Sequence, residues 1–306
     1  MDRPRLGIVG LGRWGKKHLS ELLYLHREGT VEFVGVCDSN PDAFSGLPAD
    51  TYRCLKLEDI VGKADGFIVA TSTEAHYNIA YDLVANGKAV LLEKPIVHSE
   101  GALDQLTDMV GRMHGVVIPG HLYRFSDLIR EAKAQVMKSM NPLGINFRWT
   151  DFFPIPRKTD IVMDLMPHVF DICKDMFGVL PDTLSLSYGG FRGEKETCVL
   201  KGSMGRHLYF SAELSYGLPQ KHRSIEVVGM TKALSLDLVM QPDRIRVIDE
   251  LKTEEIWVPP NNTLRDEQRF FARAVVNKEQ HIELLQDAAE GMRMLFKTRK
   301  EGGAIK

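Results

Sequence analysis

The sequence predicts an α/β fold, in which a doubly wound parallel sheet is followed by an α+β domain with a large, mostly antiparallel open sheet. Over the first 120 residues short apolar runs alternate with amphipathic segments of helical length, the pattern of a parallel sheet covered by helices. From Ile145 onward, longer runs alternate polar and apolar residues, as strands with one solvated face do. A length of 306 residues fits two domains, which we predict to be 1–120 and 121–306.

The first domain is predicted to contain five buried strands and three helices. Apolar runs indicate strands at 5–10, 31–38, 66–71, 89–93 and 116–120, and helical periodicity indicates helices at 14–26, 74–86 and 100–113. One more helix is expected at 127–140 before the pattern changes.

The second domain is predicted to be a sheet interrupted by one helix. Segments such as "INFRWTDFF", "TLSLSYGGF" and "RHLYFSAELSY" have the polar alternation of antiparallel strands. The helix is expected to begin at Met166 or Pro167, because proline has no N–H to lose at a first helical position, and Gly178 suits its end. Helical periodicity returns after Thr263.

Composition and charge narrow the class of protein. The formal charge is −2 without a basic tract, so neither nucleic acid nor an anionic membrane is an expected partner. The four cysteines have no CxxC spacing, which favours free thiols, a reducing cytoplasm and no metal site. No apolar run approaches the roughly 18 residues of a membrane span, and none resembles a signal peptide.

The stretch "RLGIVGLGRWGKKHL" has the spacing of a dinucleotide-binding Rossmann fingerprint. Gly10 allows a tight turn, Gly12 lets backbone approach a pyrophosphate, and Gly15 lets the following helix pack on the strand. Arg13 and Trp14 stand between these glycines and belong to the same predicted cofactor site. The alternative is a purely structural turn.

Asp38 ends the next predicted strand, where an acidic side chain would accept hydrogen bonds from the adenosine ribose. A carboxylate there would repel a 2′-phosphate, so NAD is favoured, although Arg53 or Lys56 would permit NADP. The alternative for Asp38 is a cap on the turn that begins at Ser39.

Lys94 follows the buried run "AVLLE", at the carboxyl end of a predicted parallel strand. Ligands of open parallel sheets lie outside these strand ends, so its ammonium group is expected in the cofactor cleft. The alternative is a surface lysine paired with Glu93.

Three motifs in this order and spacing, "GLGRWG", "ATSTEAHYNIA" and "EKP", resemble the glucose-fructose oxidoreductase and inositol dehydrogenase family, Gfo/Idh/MocA, over the whole chain. The resemblance implies that Lys94 lies at the nicotinamide and substrate, that Pro95 holds its turn, and that the segment from Thr71 to His76 lines the cofactor groove. The cofactor residues then also include Thr71, Ser72, His76, Glu93, Lys94 and Pro95. For His76, a packed or helix-capping role is the alternative.

The segment "VMDLMPHVFDICKDMFG" matches the family's second signature, with Asp164 and His168 four residues apart and then Asp171. A histidine at the start of a helix faces its positive pole, which favours the neutral base. We expect His168 to remove the hydroxyl proton, Lys94 to stabilise the alkoxide, and Asp164 to orient one of them. Alternatively, Asp164 caps the helix and His168 packs beneath it.

Three further residues are candidates for substrate binding. His121 and Arg124 lie in "GHLYRFSD", where the first domain ends, and Arg157 lies in "FFPIPRKTD". Together with Asp164-Leu-Met-Pro-His168, the first of these segments resembles the branch that acts on nucleotide-linked sugars. Interdomain scaffolding and a solvated basic loop are the alternatives.

The sequence thus predicts an NAD(P)-dependent oxidoreductase acting on a ring hydroxyl or ketone of a sugar, sugar nucleotide or cyclitol. A lyase or glycosidase that oxidises its substrate transiently and a non-catalytic dinucleotide sensor are the alternatives. We also expect a homodimer or homotetramer formed through the C-terminal sheet, because "RHLYFSAELSY" has apolar residues on both faces.

Overall fold

The structure is a computed structural model that describes residues 3–153, 160–190, 195–205, 207–300 and 304–305. The chain forms two compact units. The first contains Met1–Leu122 and Asn262–Met292, and the second contains Tyr123–Asn261 and Arg293–Lys306. The predicted boundary at residue 120 assigns Asn262–Met292 to the second domain, whereas the structure packs this segment with the first unit.

A parallel sheet of six strands forms the centre of the first unit. The strands are β1 (Arg5–Val9), β2 (Glu32–Cys37), β3 (Arg53–Cys54), β4 (Gly66–Val69), β5 (Ala89–Glu93) and β6 (Val117–Gly120). Their order is β3-β2-β1-β4-β5-β6, with parallel pairing throughout. This is the strand order of a dinucleotide-binding sheet, and it confirms the predicted Rossmann fold. Only the two-residue β3 lies outside the predicted strands.

Helices cover this sheet, and the chain's C-terminal part supplies α7 and the beginning of α8. The helices are α1 (Arg13–Glu28), α2 (Glu58–Val61), α3 (Thr73–Ala85), α4 (Glu100–Met113), α7 (Thr263–Asn277) and the beginning of α8 (Ile282–Lys300). Phe271 of α7 is fully buried in one cluster with Leu6, Ile8 and Leu22. The core of this unit therefore includes side chains from both ends of the sequence.

The second unit is built on a sheet of nine strands. The strands are β7 (Pro142–Phe152), β8 (Pro181–Gly189), β9 (Thr197–Met204), β10 (Leu208–Ser215), β11 (Gly217–Gly229), β12 (Ala233–Asp237), β13 (Arg244–Ile248), β14 (Thr253–Trp257) and β15 (Ala304–Ile305). Their order is β14-β13-β12-β11-β7-β10-β9-β8-β15, and only β7 and β10 pair in parallel. The predicted large, mostly antiparallel sheet is confirmed.

Two helices pack on this second sheet. They are α5 (Asp127–Ser139), which contacts β12 and β13, and α6 (Ile161–Phe177), which contacts β9 and β10. The predicted start of α6 at Met166 or Pro167 is wrong. The helix begins at Ile161 because the side chain of Asp160 caps it, accepting hydrogen bonds from Val162 N at 2.9 Å and Met163 N at 3.3 Å.

Candidate active site

The glycine-rich loop joins β1 to α1, and each glycine has a different environment. Gly10 has φ +93°, and a Cβ there would lie 2.7 Å from Ala70 O. A Cβ on Gly15 would lie 1.9 Å from Gly10 O, so helix α1 can approach the loop only because this residue has no side chain. A Cβ on Gly12 would meet no atom within 4 Å. Gly10 and Gly15 are therefore packed tightly against neighbouring backbone, whereas Gly12 faces open space that a ligand can enter.

The start of α1 offers an anion site. Gly12 is its N-cap, no side chain caps the helix, and its first turn contains no acidic residue. The first N–H groups of a helix without a side-chain cap bind phosphate, and the helix dipole favours the negative charge. The open side of Gly12 and the uncapped helix end thus fit a pyrophosphate.

Asp38 follows β2 and ties two segments together. Its Oδ2 accepts a hydrogen bond from Leu11 N at 2.6 Å, and its Oδ1 accepts one from Asn40 N at 2.9 Å. The second contact is the turn cap that was the alternative for this residue. The first contact fixes the glycine-rich loop, and each carboxylate oxygen keeps a lone pair for a ribose hydroxyl.

A groove of about 710 Å³ runs over these elements. The predicted cofactor residues that line it are Gly10, Gly12, Arg13, Trp14, Asp38, Thr71 and Ser72. A volume of several hundred Å³ is typical of cofactor sites. A second cavity of about 520 Å³ contains Pro4, Asp65 and Lys88, which precede their strands, so it lies at the opposite end of the sheet from the glycine-rich loop.

His76 lies buried in α3, 1% exposed. Its Nδ1 is 2.9 Å from Pro95 O. A carbonyl only accepts, so Nδ1 carries the hydrogen and Nε2 is left as an acceptor, for which the described residues provide no donor. Burial lowers the pKa of His76 below its ordinary value, although the carbonyl of Pro95 and the charge of Glu93 act in the opposite direction. His76 therefore holds the turn after Lys94 as a neutral imidazole.

Glu93 ends β5 and is 4% exposed. Its Oε1 accepts hydrogen bonds from Trp14 Nε1 and from His18 Nε2, the latter at 2.7 Å. Its Oε2 accepts a hydrogen bond from the backbone N–H of Lys94 at 3.0 Å. Glu93 is thus engaged inside the protein, beneath the half-buried Lys94, rather than in the dinucleotide groove.

In the second unit, Asp164 and His168 lie four residues apart on α6, so they share one face of the helix. Asp164 is in the first turn, and Tyr216, which is 3% exposed, donates a hydrogen bond from its hydroxyl to Asp164 Oδ2. Because α6 begins at Ile161, His168 lies two turns inside the helix. Its predicted position at the positive helix pole is wrong, since that field acts mainly within the first turn.

Aromatic rings surround His168, which is 8% exposed. The ring of Tyr123 meets it edge-on at 5.1 Å between centroids, and the ring of Trp149 lies at 5.8 Å. Tyr123 precedes α5 and Trp149 belongs to β7, so three separate segments fix the imidazole. A ring held between two others has few rotamers, which suits a group that must meet a proton at one position.

Of the three predicted substrate-binding residues, the two that the structure describes, His121 and Arg124, do not share one environment. Arg124 donates a hydrogen bond from Nε to Asp171 Oδ1 at 2.6 Å, and their side chains are 14% and 3% exposed. His121 is buried after β6, within the first unit. Arg157 lies outside the described residues.

Sequence reasoning missed His18, Gln268 and Tyr216. Gln268 of α7 donates hydrogen bonds from Nε2 to His18 O at 3.0 Å and to His18 Nδ1 at 3.1 Å. These two residues are 250 positions apart, and Tyr216 is 52 positions from Asp164. The one local signal was His18 itself, a polar residue on the otherwise apolar face of α1 with Leu19, Leu22 and Leu25.

Comparison with known proteins identifies the class. Residues 4–121 match the model of an oxidoreductase family with an NAD-binding Rossmann fold, GFO_IDH_MocA. The chain is 25% identical over 184 residues to UDP-N-acetylglucosamine 3-dehydrogenase of Acidithiobacillus ferrooxidans, covering 59% of this chain and 56% of that protein, little more than half. It is 22% identical over 254 residues to inositol 2-dehydrogenase of Rhizobium meliloti, covering 76% and 75% of the two chains.

The fold is also that of a solved structure of the Acidithiobacillus ferrooxidans dehydrogenase, with a TM-score of 0.86 and 17% identity over 98% of this chain and 97% of the other. Residues 4–121 thus match the Gfo/Idh/MocA family of oxidoreductases, so the predicted resemblance to this family and the nicotinamide dinucleotide cofactor are confirmed. Within the described part of the chain, no helix is both long and apolar enough to cross a membrane.

Proposed function

We propose that this protein transfers a hydride between a nicotinamide dinucleotide and a ring hydroxyl or ketone of a sugar, sugar nucleotide or cyclitol. One observation carries the proposal: each unit contains part of the chemistry. The first unit has an open glycine-rich loop at Gly12 and, after β5, Lys94. The second has Asp164 and the confined His168 on one face of α6. The family match and the sugar-nucleotide and inositol dehydrogenases among its relatives support the substrate class.

The residues divide the chemistry as follows. The nicotinamide, when bound, supplies the hydride acceptor or donor. His168 takes the proton of the substrate hydroxyl during oxidation and returns it during reduction, a form of catalysis typically worth about 10²–10⁴ in rate. Lys94 donates a hydrogen bond to the same oxygen as negative charge develops on it. Asp164, held by Tyr216, orients the substrate or the base.

We propose NAD as the preferred dinucleotide. The carboxylate of Asp38 lines the groove and would repel a 2′-phosphate. Arg53, one of the two candidate cations for NADP, donates instead to the backbone oxygens of Thr51, Pro48 and Ala49 at 3.2–3.4 Å. These contacts point its guanidinium into its own loop.

We further propose a homo-oligomer assembled through the second sheet, in the cytoplasm. Large apolar side chains are exposed along that sheet, namely Leu143, Tyr209, Val228, Ile248 and Trp257. The four cysteines are free thiols, as a reducing compartment would leave them. Light scattering at micromolar concentration should report a dimer or tetramer, and a monomer would contradict this part of the proposal.

The test is an absorbance assay at the nicotinamide band with NAD⁺ or NADH and a panel of polyols, sugars and nucleoside-diphosphate sugars. Net absorbance change supports the proposal. Turnover without net cofactor change would instead indicate transient oxidation, and cofactor binding without any turnover would indicate a sensor. Lys94→Ala and His168→Ala should each slow hydride transfer by at least about 10², with NAD⁺ affinity within several-fold.

The exposed residues Lys138 and His207 offer matched controls. Lys138→Ala and His207→Ala should retain full activity. If Lys94→Ala and His168→Ala were as active as these controls, the assigned roles would be wrong.

A further inference from the structure

We propose that Glu93 is a positioning residue for Lys94, held in place by Trp14 and His18 of α1, and that Trp14 couples this arrangement to occupancy of the dinucleotide groove. The proposal rests on the hydride-transfer function given above and deepens it. It concerns only the first unit, in which all of these residues lie.

The contacts of Glu93 come from two elements. Helix α1 provides the indole N–H of Trp14 and the imidazole of His18, one turn apart, and both meet Oε1. The other oxygen accepts the backbone N–H of Lys94 at 3.0 Å. The carboxylate therefore links the helix that begins at the pyrophosphate site to the residue that meets the substrate.

The neighbouring strand is adapted to this carboxylate. Gly120 of β6 pairs with Glu93, and a Cβ on Gly120 would lie 3.2 Å from Glu93 Oε1 and 3.1 Å from its Cα. At these distances the neighbouring atoms would have to move by a few tenths of an ångström to admit a Cβ. The glycine thus leaves room for the carboxylate beside the strand, and Glu93 has little freedom to move.

The proton positions follow from Gln268. Its Nε2 lies 3.0 Å from His18 O, and since a backbone oxygen only accepts, this atom must be the amide nitrogen. The same nitrogen donates to His18 Nδ1, so Nδ1 bears no hydrogen and Nε2–H donates to Glu93. Glu93 thus receives three N–H donors, which is a site for a carboxylate ion rather than a carboxylic acid.

The charges around Glu93 agree with an ionised state. Burial alone would raise the pKa of Glu93, but the hydrogen bond from His18, the charge of Lys94 and the hydrogen bond from Trp14 together lower it below the ordinary value. The other titratable groups that face it are Glu267 of α7 and His76 of α3. The ammonium of Lys94 is therefore close enough to interact with this buried charge.

A metal ion is the competing explanation for this cluster. His18, Glu93 and Glu267 bring donor atoms within 4.8 Å of one another, all from buried side chains. A metal at Nε2 of His18 would need the lone pair of that nitrogen, whereas the contacts of Gln268 place the hydrogen there. The geometry therefore favours a hydrogen-bonded cluster.

Trp14 connects the cluster to the cofactor. Its side chain is half-buried and lines the dinucleotide groove, while its Nε1 reaches Glu93. A dinucleotide that contacts the indole acts on the same residue that holds the carboxylate beneath Lys94. Cofactor binding and the placement of Lys94 are coupled through this one side chain.

Kinetics of two variants provide the first test. Glu93→Gln keeps the shape but removes the charge, and Trp14→Phe keeps a ring in the groove but removes the donor. We expect kcat to fall at least about tenfold in Glu93→Gln and about threefold or more in Trp14→Phe, with NAD⁺ Kd and substrate KM within about fivefold. The matched control Glu226→Gln, at an exposed position, should match the parent protein.

Unchanged kcat in both variants would overturn the proposal. Equal losses in kcat and in NAD⁺ affinity would overturn it as well, since they would indicate a damaged groove rather than a displaced Lys94. A stoichiometric metal in the purified protein that is lost in His18→Phe would establish the competing explanation.

The indole N–H resonance of Trp14 provides a second test that needs no turnover. The chain has three tryptophans, so the ¹⁵N-labelled spectrum is simple and Trp14→Phe identifies the signal. We expect this signal to stay unmoved between pH 8 and about pH 5, because Glu93 remains ionised, and to shift on addition of NADH. A titration midpoint above about pH 5, or no response to NADH, would overturn the proposal.

The two tests separate this proposal from the function on which it rests. If no substrate is turned over, the hydride-transfer function fails, while the resonance of Trp14 still decides whether Glu93 is held as described. If turnover is found but the resonance and the variants contradict expectation, only the role of Glu93 is wrong.

Discussion

Substitution of Gly12 and of Gly15 by alanine should separate cofactor binding from folding. The two glycines are three residues apart at the start of α1, yet a Cβ meets nothing within 4 Å at Gly12 and lies 1.9 Å from Gly10 O at Gly15. Ordinary contact begins at 3.4 Å, so Gly15→Ala must displace backbone, while Gly12→Ala needs no displacement.

The expected magnitudes follow from these environments. Gly12 has φ −61°, which alanine can adopt. Alanine is a poorer N-cap residue than glycine, which costs about 0.5–1 kcal/mol, but it makes the unfolded chain less flexible, which stabilises the fold by about 0.4–1 kcal/mol. The free energy of unfolding should therefore hardly change. Its methyl group would occupy the open side where the pyrophosphate approaches. Losing one charge-assisted hydrogen bond there costs about 1.5–3 kcal/mol, or about 10- to 150-fold in affinity.

Gly15→Ala should behave in the opposite way. Overpacking against backbone costs about 1–3 kcal/mol, which lowers Tm by about 2–12 °C for a unit of this size. Thermal unfolding and calorimetric titration with NAD⁺ measure both quantities for each variant. If Gly12→Ala bound NAD⁺ as tightly as the parent protein, the dinucleotide would not approach the loop at that residue and our interpretation of the groove would be refuted.

Other residues give independent predictions. Asp38→Ser should weaken NAD⁺ binding by about tenfold and reduce the preference for NAD⁺ over NADP⁺, because the carboxylate charge is removed. Parallel titrations with the two cofactors measure both affinities. An unchanged ratio of the two affinities would contradict the role of Asp38. The pKa of His76 is lowered in the folded state, so its contribution to stability is present above the unfolded value near 6.5 and is lost as the pH falls through the folded value. Urea unfolding at pH 7.5 and 5.5 should therefore show a smaller pH effect in His76→Gln than in the parent protein, and equal effects would argue against it. Arg124→Leu should destabilise the second unit by about 3 kcal/mol, because it removes the guanidinium that pairs with the buried carboxylate of Asp171. Adding Asp171→Leu to this variant should restore much of the lost stability. Urea unfolding of the single and double variants measures both effects.

The parts of the fold that depend on local pattern could be predicted from the sequence. Strand β5 (Ala89–Glu93) and helix α4 (Glu100–Met113) have the predicted bounds, because an uninterrupted apolar run and a Ser99 cap mark them. Strand β3 has two residues, too few for any periodicity, and it exists only through pairing with β2. The start of α6 was misplaced because Pro167 resembles a first helical residue, whereas Asp160 provides a stronger N-cap.

In the candidate site, too, residues in a local motif could be predicted, whereas contacts between distant parts of the chain could not. Gly10, Gly12 and Gly15 could be found because a turn of this kind needs them at a fixed spacing. The engagement of Glu93 by His18 could not be found, since 75 residues separate the pair and no short motif links them. The helical pattern of α7 showed that it buries one face, but periodicity does not reveal which unit receives that face.

The return of Asn262–Met292 to the first unit has a genetic consequence. A premature stop codon after residue 261 would delete Phe271 and Gln268, so it would remove both a wall of the nucleotide-binding core and the support of His18. Lesions in the codons for residues 262–292 should therefore abolish dinucleotide binding, although the fingerprint itself is encoded far upstream of them. Residues 1–122 expressed alone should aggregate rather than bind NAD⁺, because the apolar surface that α7 covers would face water.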